Sequence, residues 1–268
     1  MIKTGTSGFS FKDWMGTVYP ENLRKEDMLT FYQEELGFDT VELNFTYYTI
    51  PSEKAIEGLE KKTSSNFEFA VKVFKGITHD PFDRRISEKP SISKIKAYCE
   101  CLSNSLYPLR NTGKLGVVLM QFPVFFRPSK KNLDYLLMTR EYFREDTLAI
   151  EFRNSEWVKD DTFSFLKKNA LAFCSVDEPK LPRLMPFVEI TTSDTAYIRL
   201  HGRNNSWFNA PLSVRYDYLY STDELQEFIP QIKKINSNAE RTFIFFNNCH
   251  SGSAAINAKM LKDMIVTD

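Results

Sequence analysis

Several short apolar runs of this sequence lead into polar side chains that could carry acid–base chemistry. The carboxylates among them are Glu42, Glu151 and Asp177, and the imidazole is His201. A carboxylate or an imidazole with a suitable pKa takes up and returns a proton, and converging carboxylates can also bind a divalent cation. We therefore predict that these four residues are catalytic, with Glu151 or Glu42 as general base and His201 as acid or electrophile.

Cationic and amide side chains also occur at or after the ends of the apolar runs, and they predict a ligand that carries phosphate. Arginine binds phosphate through several donors at once, and lysine binds it as a point charge. The last predicted helix begins near Ser251 and Gly252, where backbone amides favour an anion, although an ordinary helix cap explains the same residues. The predicted ligand-binding residues are Asn44, Lys72, Gln121, Arg153, Arg199, Arg203, Asn247, Ser251, Gly252, Trp14 and Trp207.

The same charges allow a structural interpretation. Lys72, Arg153 and Arg199 could balance the three carboxylates, because buried charges must be paired whatever their role. A barrel interior is usually filled by apolar residues, so the polar set as a whole favours a site. The sequence leaves both interpretations open.

Other chemistries depend on the same residues. A single Mg²⁺ or Mn²⁺ bound by Glu42, Glu151 and Asp177 remains open, whereas a zinc cluster would need more than the three histidines of the chain. Glycoside hydrolysis also remains open, and the separation of Glu42 from Glu151 would decide it. We expect carboxylate neighbours to keep Lys72 charged and unreactive, which argues against a Schiff base. No organic cofactor is indicated.

These residues are positioned by elements that alternate along the whole chain. Apolar runs with β-branched and aromatic residues predict eight strands, and stretches with helical periodicity lie between them. The predicted strands are 2–7, 40–45, 68–74, 115–122, 148–153, 172–177, 196–202 and 243–248. The predicted helices are 24–36, 52–63, 91–106, 129–143, 156–169, 222–235 and 251–265.

This alternation predicts one α/β domain over residues 1–268, a single TIM-type (β/α)8 barrel. The connection after strand six contains Pro179, Pro182 and Pro186 and is predicted to be irregular. An open doubly wound sheet fits less well, because GTSGFSF after the first strand lacks the GxGxxG spacing. Alternation along the strands directs the polar residues into the barrel mouth. They are Glu42, Asn44, Lys72, Gln121, Glu151, Arg153, Asp177, Arg199, His201 and Asn247.

The charge of the chain limits its partners. The 35 Lys and Arg residues balance 35 Asp and Glu residues, so the formal net charge is zero. Binding to nucleic acid through a broad basic surface requires an excess of cations. We therefore expect a local site for a small anionic ligand or a nucleic-acid fragment.

The N-terminal segment MIKTGTSGFSFKDW lacks the apolar run of a signal peptide, and no stretch is long enough to span a membrane. A cytoplasmic protein without a membrane partner is expected. The four cysteines form no CxxC pair, so reduced buried thiols are expected as well.

Seven segments, in order along the chain, resemble one known family. They are GTSGFSFKDWMGTVYP (5–20), VELNFTYYTIPS (41–52), FEFAVKVFKGITHD (67–80), LGVVLMQFP (115–123), AIEFRNSEW (149–157), YIRLHGR (197–203), and FNN with GSAAINA (246–258). The sequence resembles the YecE-like family, the domain of unknown function numbered seventy-two. The resemblance implies a TIM-type barrel in a bacterial cytoplasmic protein, and it implies no established reaction or cofactor.

The sequence predicts an enzyme that acts on a phosphate-bearing ligand, such as a nucleotide, a nucleic-acid fragment or a sugar phosphate. A phosphoester hydrolase fits the residues better than a glycosidase. The alternatives are a noncatalytic module that binds nucleic acid or a phosphorylated metabolite, and a carbohydrate-active hydrolase.

Overall fold

A computed structural model describes residues 1–182, 184–206 and 211–267, in which parallel strands alternate with helices. Eight strands lie within these residues: β1 Ile2–Thr6, β2 Thr40–Leu43, β3 Glu68–Lys72, β4 Leu115–Gln121, β5 Leu148–Glu151, β6 Leu171–Asp177, β7 Thr195–Leu200 and β8 Arg241–Phe246. All eight predicted strands are confirmed, and most of them end one or two residues earlier than predicted.

The α-helices in the described part of the chain cover the predicted segments and add three short ones. They are α1 Met28–Glu34, α2 Glu53–Glu60, α3 Lys75–Thr78, α4 Ile92–Ser105, α5 Tyr107–Asn111, α6 Lys130–Arg140, α7 Asp160–Lys168, α8 Leu212–Arg215, α9 Thr222–Asn236 and α10 Ser253–Thr267. Ser52, Ser91, Ser129 and Ser221 cap α2, α4, α6 and α9 by accepting a hydrogen bond from a backbone amide of the first turn. None of the described helices is long and apolar enough to cross a membrane.

The strands form the sheet of a TIM-type (β/α)8 barrel. Each strand from β2 to β7 pairs in parallel with the next strand along the chain, and β8 pairs with both β7 and β1. No helix interrupts the described residues between Asp177 and Thr195, so the predicted irregular connection after β6 is confirmed. Because all strands are parallel, their carboxyl ends meet at one mouth.

The barrel is joined between β1 and β2 by a side chain. The hydroxyl of Tyr32, on α1, accepts a hydrogen bond from the Thr6 amide at 3.0 Å and donates one to the Thr40 carbonyl at 3.1 Å. Gly5 allows this close approach, since a Cβ at that position would lie 2.3 Å from the Thr40 oxygen. The closure of the barrel therefore depends on a buried tyrosine hydroxyl that alternation along the strands does not reveal.

Charged residues occupy both ends of the barrel interior. At the amino ends of the strands, Glu68 contacts Lys3 at 2.7 Å and Arg241 at 2.9 Å. At the carboxyl ends lies a larger buried group, which forms the candidate site. The high aromatic content is mostly core, as the fully buried Trp14, Trp157, Phe122 and Tyr197 illustrate.

Candidate functional site

The centre of the barrel mouth is a row of alternating charges, which we call the ion-pair row: Glu42, Arg199, Glu151, Arg153 and Glu178. Arg199, from β7, lies between two carboxylates, with Nη2 at 2.7 Å from Glu42 Oε1 and Nη1 at 2.6 Å from Glu151 Oε2. All three side chains are completely buried. Buried charges of this kind must be paired, and these are.

The second half of the ion-pair row reaches the surface. Arg153 Nε lies 2.5 Å from Glu151 Oε1, and Arg153 Nη1 lies 2.7 Å from Glu178 Oε2. The Arg153 side chain is 12% exposed, whereas both carboxylates are completely buried. Arg153 is therefore the member of the row that a ligand in the mouth can contact.

The two glutamates from β2 and β5 are not placed to act as bases. Burial alone would raise the pKa of Glu151, but Arg153, Arg199 and His201 outweigh it and hold that pKa well below its usual range. Glu42 accepts hydrogen bonds from Arg199 and from the Tyr197 hydroxyl at 2.6 Å. Both carboxylates are thus paired within the protein, so the structural interpretation of Glu42 and Glu151 is the better supported one.

His201, just beyond β7, is buried and neutral. Burial and Arg153 lower its pKa well below the usual value. Its Nε2 lies 3.1 Å from Arg153 Nη2 and 3.4 Å from Glu151 Oε1. The amide nitrogen of Asn247, Nδ2, lies 2.9 Å from Nδ1. His201 thus positions Arg153.

Lys72, at the end of β3, differs from Arg153, Arg199 and Arg203, which all pair with carboxylates. Its Nζ forms no ion pair and no hydrogen bond with the described residues, and it lies 4.6 Å from the centre of the Tyr47 ring. Burial, with Arg199 as the next contributor, lowers the pKa of Lys72 to about 7 against the opposing effect of Glu151 and Glu42. The expectation that carboxylates keep Lys72 charged is wrong, because the arginines have taken those carboxylates.

A cavity of about 940 Å³ opens beside the ion-pair row, between the loops that follow β1, β2 and β8. Its lining is partly aromatic and includes Ser7, Phe9, Phe11, Asn44, Phe45, Tyr48, Tyr216 and Asn247. Ser7 Oγ accepts from Arg199 Nη2 at 3.3 Å, so one lining residue contacts the ion-pair row, and Asn247 contacts the neighbouring His201. Asn44 donates to the Ser7 carbonyl at 3.1 Å.

Asp177 and Arg203 lie away from the ion-pair row. Asp177 accepts hydrogen bonds from the Tyr220 hydroxyl at 2.6 Å and from Arg203 Nε at 3.1 Å. Arg203 also contacts Glu224 and Glu227, so three carboxylates surround it. The prediction that Asp177 faces the other carboxylates is wrong, and Arg203 lies beside Asp177, outside the ion-pair row.

The face of β6 explains this difference. Cys174 lies 3.9 Å from Glu151 Oε2, so the even-numbered residues of β6 point toward the ion-pair row. Glu178, one residue past the strand, therefore takes the place that the sequence assigned to Asp177. In the described part of the chain, no group of three histidine, cysteine or carboxylate side chains could hold a metal ion. The proposed Mg²⁺ or Mn²⁺ set of Glu42, Glu151 and Asp177 does not come together.

The start of the last helix already has an anionic partner. The Ser251 amide donates to Asp13 Oδ2 at 2.7 Å, and Ser251 adopts a left-handed backbone with φ 52°. Gly252 is buried, and a Cβ there would lie 2.6 Å from a methyl group of Val18. The amide of Ser251 predicted to bind phosphate thus binds a carboxylate of the protein itself.

Three predicted ligand-binding residues remain, and none of them is shown to line the mouth as a free contact. Trp14 is buried, and its Nε1 donates to the Cys249 carbonyl at 2.8 Å, so it is a core residue. Gln121 is half-buried and forms no side-chain hydrogen bond within the described residues. Trp207 lies outside the residues that the structure describes.

Sequence reasoning missed three side chains that complete the mouth. Tyr197 shares the strand face of Arg199 two residues away, so alternation alone could have found it. Glu178 continues the inward face of β6, which the sequence analysis assigned to the other set of residues, and Tyr47 lies in a 3-10 turn after β2, where alternation no longer applies. Tyr47 also contacts His79, with 4.9 Å between ring centroids, and burial and Lys72 lower the pKa of His79 to about 3.

The fold and this mouth define a class of protein: a TIM-type barrel with buried ion pairs at the base of its carboxyl-end opening. The chain belongs to the family described as "Protein of unknown function DUF72", which it matches over residues 3–268. The resemblance seen in the sequence is thereby confirmed.

Relatives with known sequence or structure cover almost the whole chain. UPF0759 protein YunF of Bacillus subtilis is 28% identical over 277 residues, which are 99% of this chain and 95% of YunF. The crystal structure of a DUF72 family protein from Thermotoga maritima is 43% identical and covers 99% of both chains with a TM-score of 0.89. A DUF72 family protein from Enterococcus faecalis is 28% identical, with a TM-score of 0.85 over 99% of this chain and 96% of its own.

Proposed function

We propose that this protein is an enzyme that acts on a phosphate-bearing ligand at the barrel mouth, with Lys72 and Arg153 contacting the phosphate. One observation carries the proposal. Among the cations at or just past the carboxyl ends of the described strands, Lys72 has no carboxylate partner, whereas Arg153, Arg199 and Arg203 each have two or more.

An anion at Lys72 is favoured by the chemistry of its surroundings. Burial makes it costly to protonate this amine, and an opposite charge close to Nζ offsets that cost. Arg153 is held in place by Glu151, Glu178 and His201, and a guanidinium has five N–H donors, so N–H groups remain for a ligand. Arg153 is a guanidinium fixed by its contacts, and Lys72 is an amine that can gain a proton when an anion binds. Together they suit a phosphate group.

The adjoining cavity provides room for the rest of the ligand. Its volume of about 940 Å³ lies at the upper end of the usual range for small-molecule pockets. Phe45 and Tyr48 are 41% and 66% exposed there, and such rings stack on sugars or bases. The net charge of zero argues against binding along an extended nucleic acid. A nucleotide, a short nucleic-acid fragment or a sugar phosphate fits this combination.

Lys72 also replaces the glutamates as the proton-transfer group of the proposal. A group whose pKa lies near the working pH exchanges protons most effectively, and the pKa of Lys72 is lowered to about 7. When protonated, it can donate to the oxygen that leaves a phosphoester. Glu42, Glu151 and His201 then have the role of fixing Arg153 and Arg199.

A matched pair of ligands tests the proposal. Ribose 5-phosphate and ribose are titrated by calorimetry into the parent protein, Lys72→Met and Lys168→Met, whose exposed lysine ends α7 at the opposite side of the barrel. We expect ribose 5-phosphate to bind the parent and Lys168→Met at least tenfold more tightly than Lys72→Met. Equal binding by all three proteins would refute the proposed role of Lys72.

The same titrations separate the alternatives. Ribose that binds as well as ribose 5-phosphate would indicate a carbohydrate-active protein. Phosphate ligands that bind without release of inorganic phosphate from any of a library of phosphoesters would indicate a noncatalytic binding module.

A further inference from the structure

The surroundings of Lys72 also favour its amine as a nucleophile. Arg199 and Arg153 pair with the carboxylates that would otherwise bind a lysine, and within the described structure Nζ forms no ion pair or hydrogen bond and contacts the ring of Tyr47. Lys72 is a half-buried residue at the carboxyl end of β3, where the strands open into the mouth. An amine without a salt bridge, next to fixed cations, is the arrangement that activates lysine as a nucleophile.

We propose that Lys72 is the nucleophilic amine of this site and forms an imine with an aldehyde or ketone carbonyl of the ligand. The inference rests on the proposed function for the phosphate, because it makes the ligand a phosphorylated carbonyl compound. When Lys72 binds the carbonyl carbon, the phosphate lies against Arg153 instead.

The amine is available at neutral pH. With a pKa of about 7, about half of Lys72 is unprotonated at pH 7, compared with about one in a thousand or fewer for an ordinary lysine. Its neighbours Tyr47 and His79 do not compete for this role, because burial raises the pKa of the Tyr47 hydroxyl and lowers that of His79.

The step is balanced without any further reactant. The lone pair of Nζ attacks the carbonyl carbon, and the two amine hydrogens leave with the carbonyl oxygen as one water molecule. A C=N double bond replaces the C=O bond, and nothing is oxidised or reduced. Borohydride, added as a reagent, reduces this bond to a stable secondary amine that mass spectrometry detects.

Trapping with two aldehydes tests the inference. The parent protein is treated at pH 7 with pyridoxal 5′-phosphate or with pyridoxal, then with borohydride, and the labelled peptides are mapped. Lys75 is the matched control, since it lies three residues further on and contacts Asp80 at 3.6 Å. We expect Lys72 to be labelled at least tenfold faster than Lys75.

A second variant keeps the result interpretable. Lys72→Arg retains the positive charge but cannot form the imine, so it should lose the label while still binding ribose 5-phosphate. Equal labelling of Lys72 by both aldehydes would uphold the imine and refute the preference for phosphate. Labelling of Lys72 no faster than that of Lys75 would overturn the imine, whatever the phosphate titrations show.

Discussion

Arg199 Nη1 lies 2.6 Å from Glu151 Oε2 in the completely buried centre of the mouth, joining the ends of β7 and β5. Arg199 also contacts Glu42 at 2.7 Å, so one guanidinium neutralises two carboxylates from opposite parts of the barrel. Removing it would leave both carboxylates buried without compensation. The interaction therefore stabilises the buried centre of the mouth, next to Lys72 and Arg153.

Replacing Arg199 by Met should destabilise the protein strongly. Breaking one partner of a buried ion pair costs about 3–5 kcal/mol, and here two carboxylates lose their partner. The free energy of unfolding from urea titration measures the effect. Arg127→Met is the control, because Arg127 contacts Glu156 at 3.5 Å with both side chains largely exposed, and its effect should stay within about 0.5 kcal/mol. A loss below about 1 kcal/mol for Arg199→Met would contradict the ion-pair row.

Tyr32→Phe should weaken the closure of the barrel. The substitution leaves the Thr6 amide and the Thr40 carbonyl without their shared partner, and an unpaired buried polar group costs about 1–3 kcal/mol. Hydrogen exchange of the Thr6 amide, measured by NMR, should accelerate with the loss of stability. Tyr48→Phe, at an exposed hydroxyl, serves as the control. An unchanged exchange rate at Thr6 would show that another group joins β1 to β2.

Lys72 should make stability depend on pH in a defined window. Its pKa is about 7 in the folded protein and about 10.4 when unfolded, so between these values the unfolded chain binds one more proton. Stability then rises with pH from 7 to 10 by up to about 1.4 kcal/mol per unit, and below pH 7 this slope vanishes because Lys72 is protonated in both states and its full destabilising effect is present. Lys72→Met should lack this increment when the two proteins are unfolded in parallel. Parallel curves for the two proteins would rule out the lowered pKa.

Some of this site could be read from the sequence, because strand alternation has a simple physical basis. Successive side chains point to opposite faces, so Glu42, Glu151, Arg153 and Arg199 were correctly assigned to one interior. The fold followed from the same regularity, repeated eight times with helices between the strands. For β6 the wrong face was assigned to the interior: Cys174 and Glu178 point toward the row, and Asp177 points away from it.

The pairing of charges could not be read from the sequence. The residue types of the mouth would allow either Lys72 or an arginine to pair with each carboxylate. Only the geometry shows that every carboxylate pairs with an arginine. Likewise, the residues after β8 have the composition of an anion site. However, Asp13, far away in the chain, already accepts a hydrogen bond from the Ser251 amide. Long-range partners of this kind leave no local pattern.

The central claim is that Lys72, which has no ion-pair partner among the described residues and a pKa lowered to about 7, binds an anion. Titration of the protein with ¹³C-labelled lysine, followed by NMR and with Lys72 identified from Lys72→Arg, measures it directly. Without added anion, the midpoint for Lys72 should lie near pH 7; with sulfate, whose charge is constant in this range, it should rise by about one unit or more. A midpoint near pH 10, or one that sulfate does not move, would contradict the account.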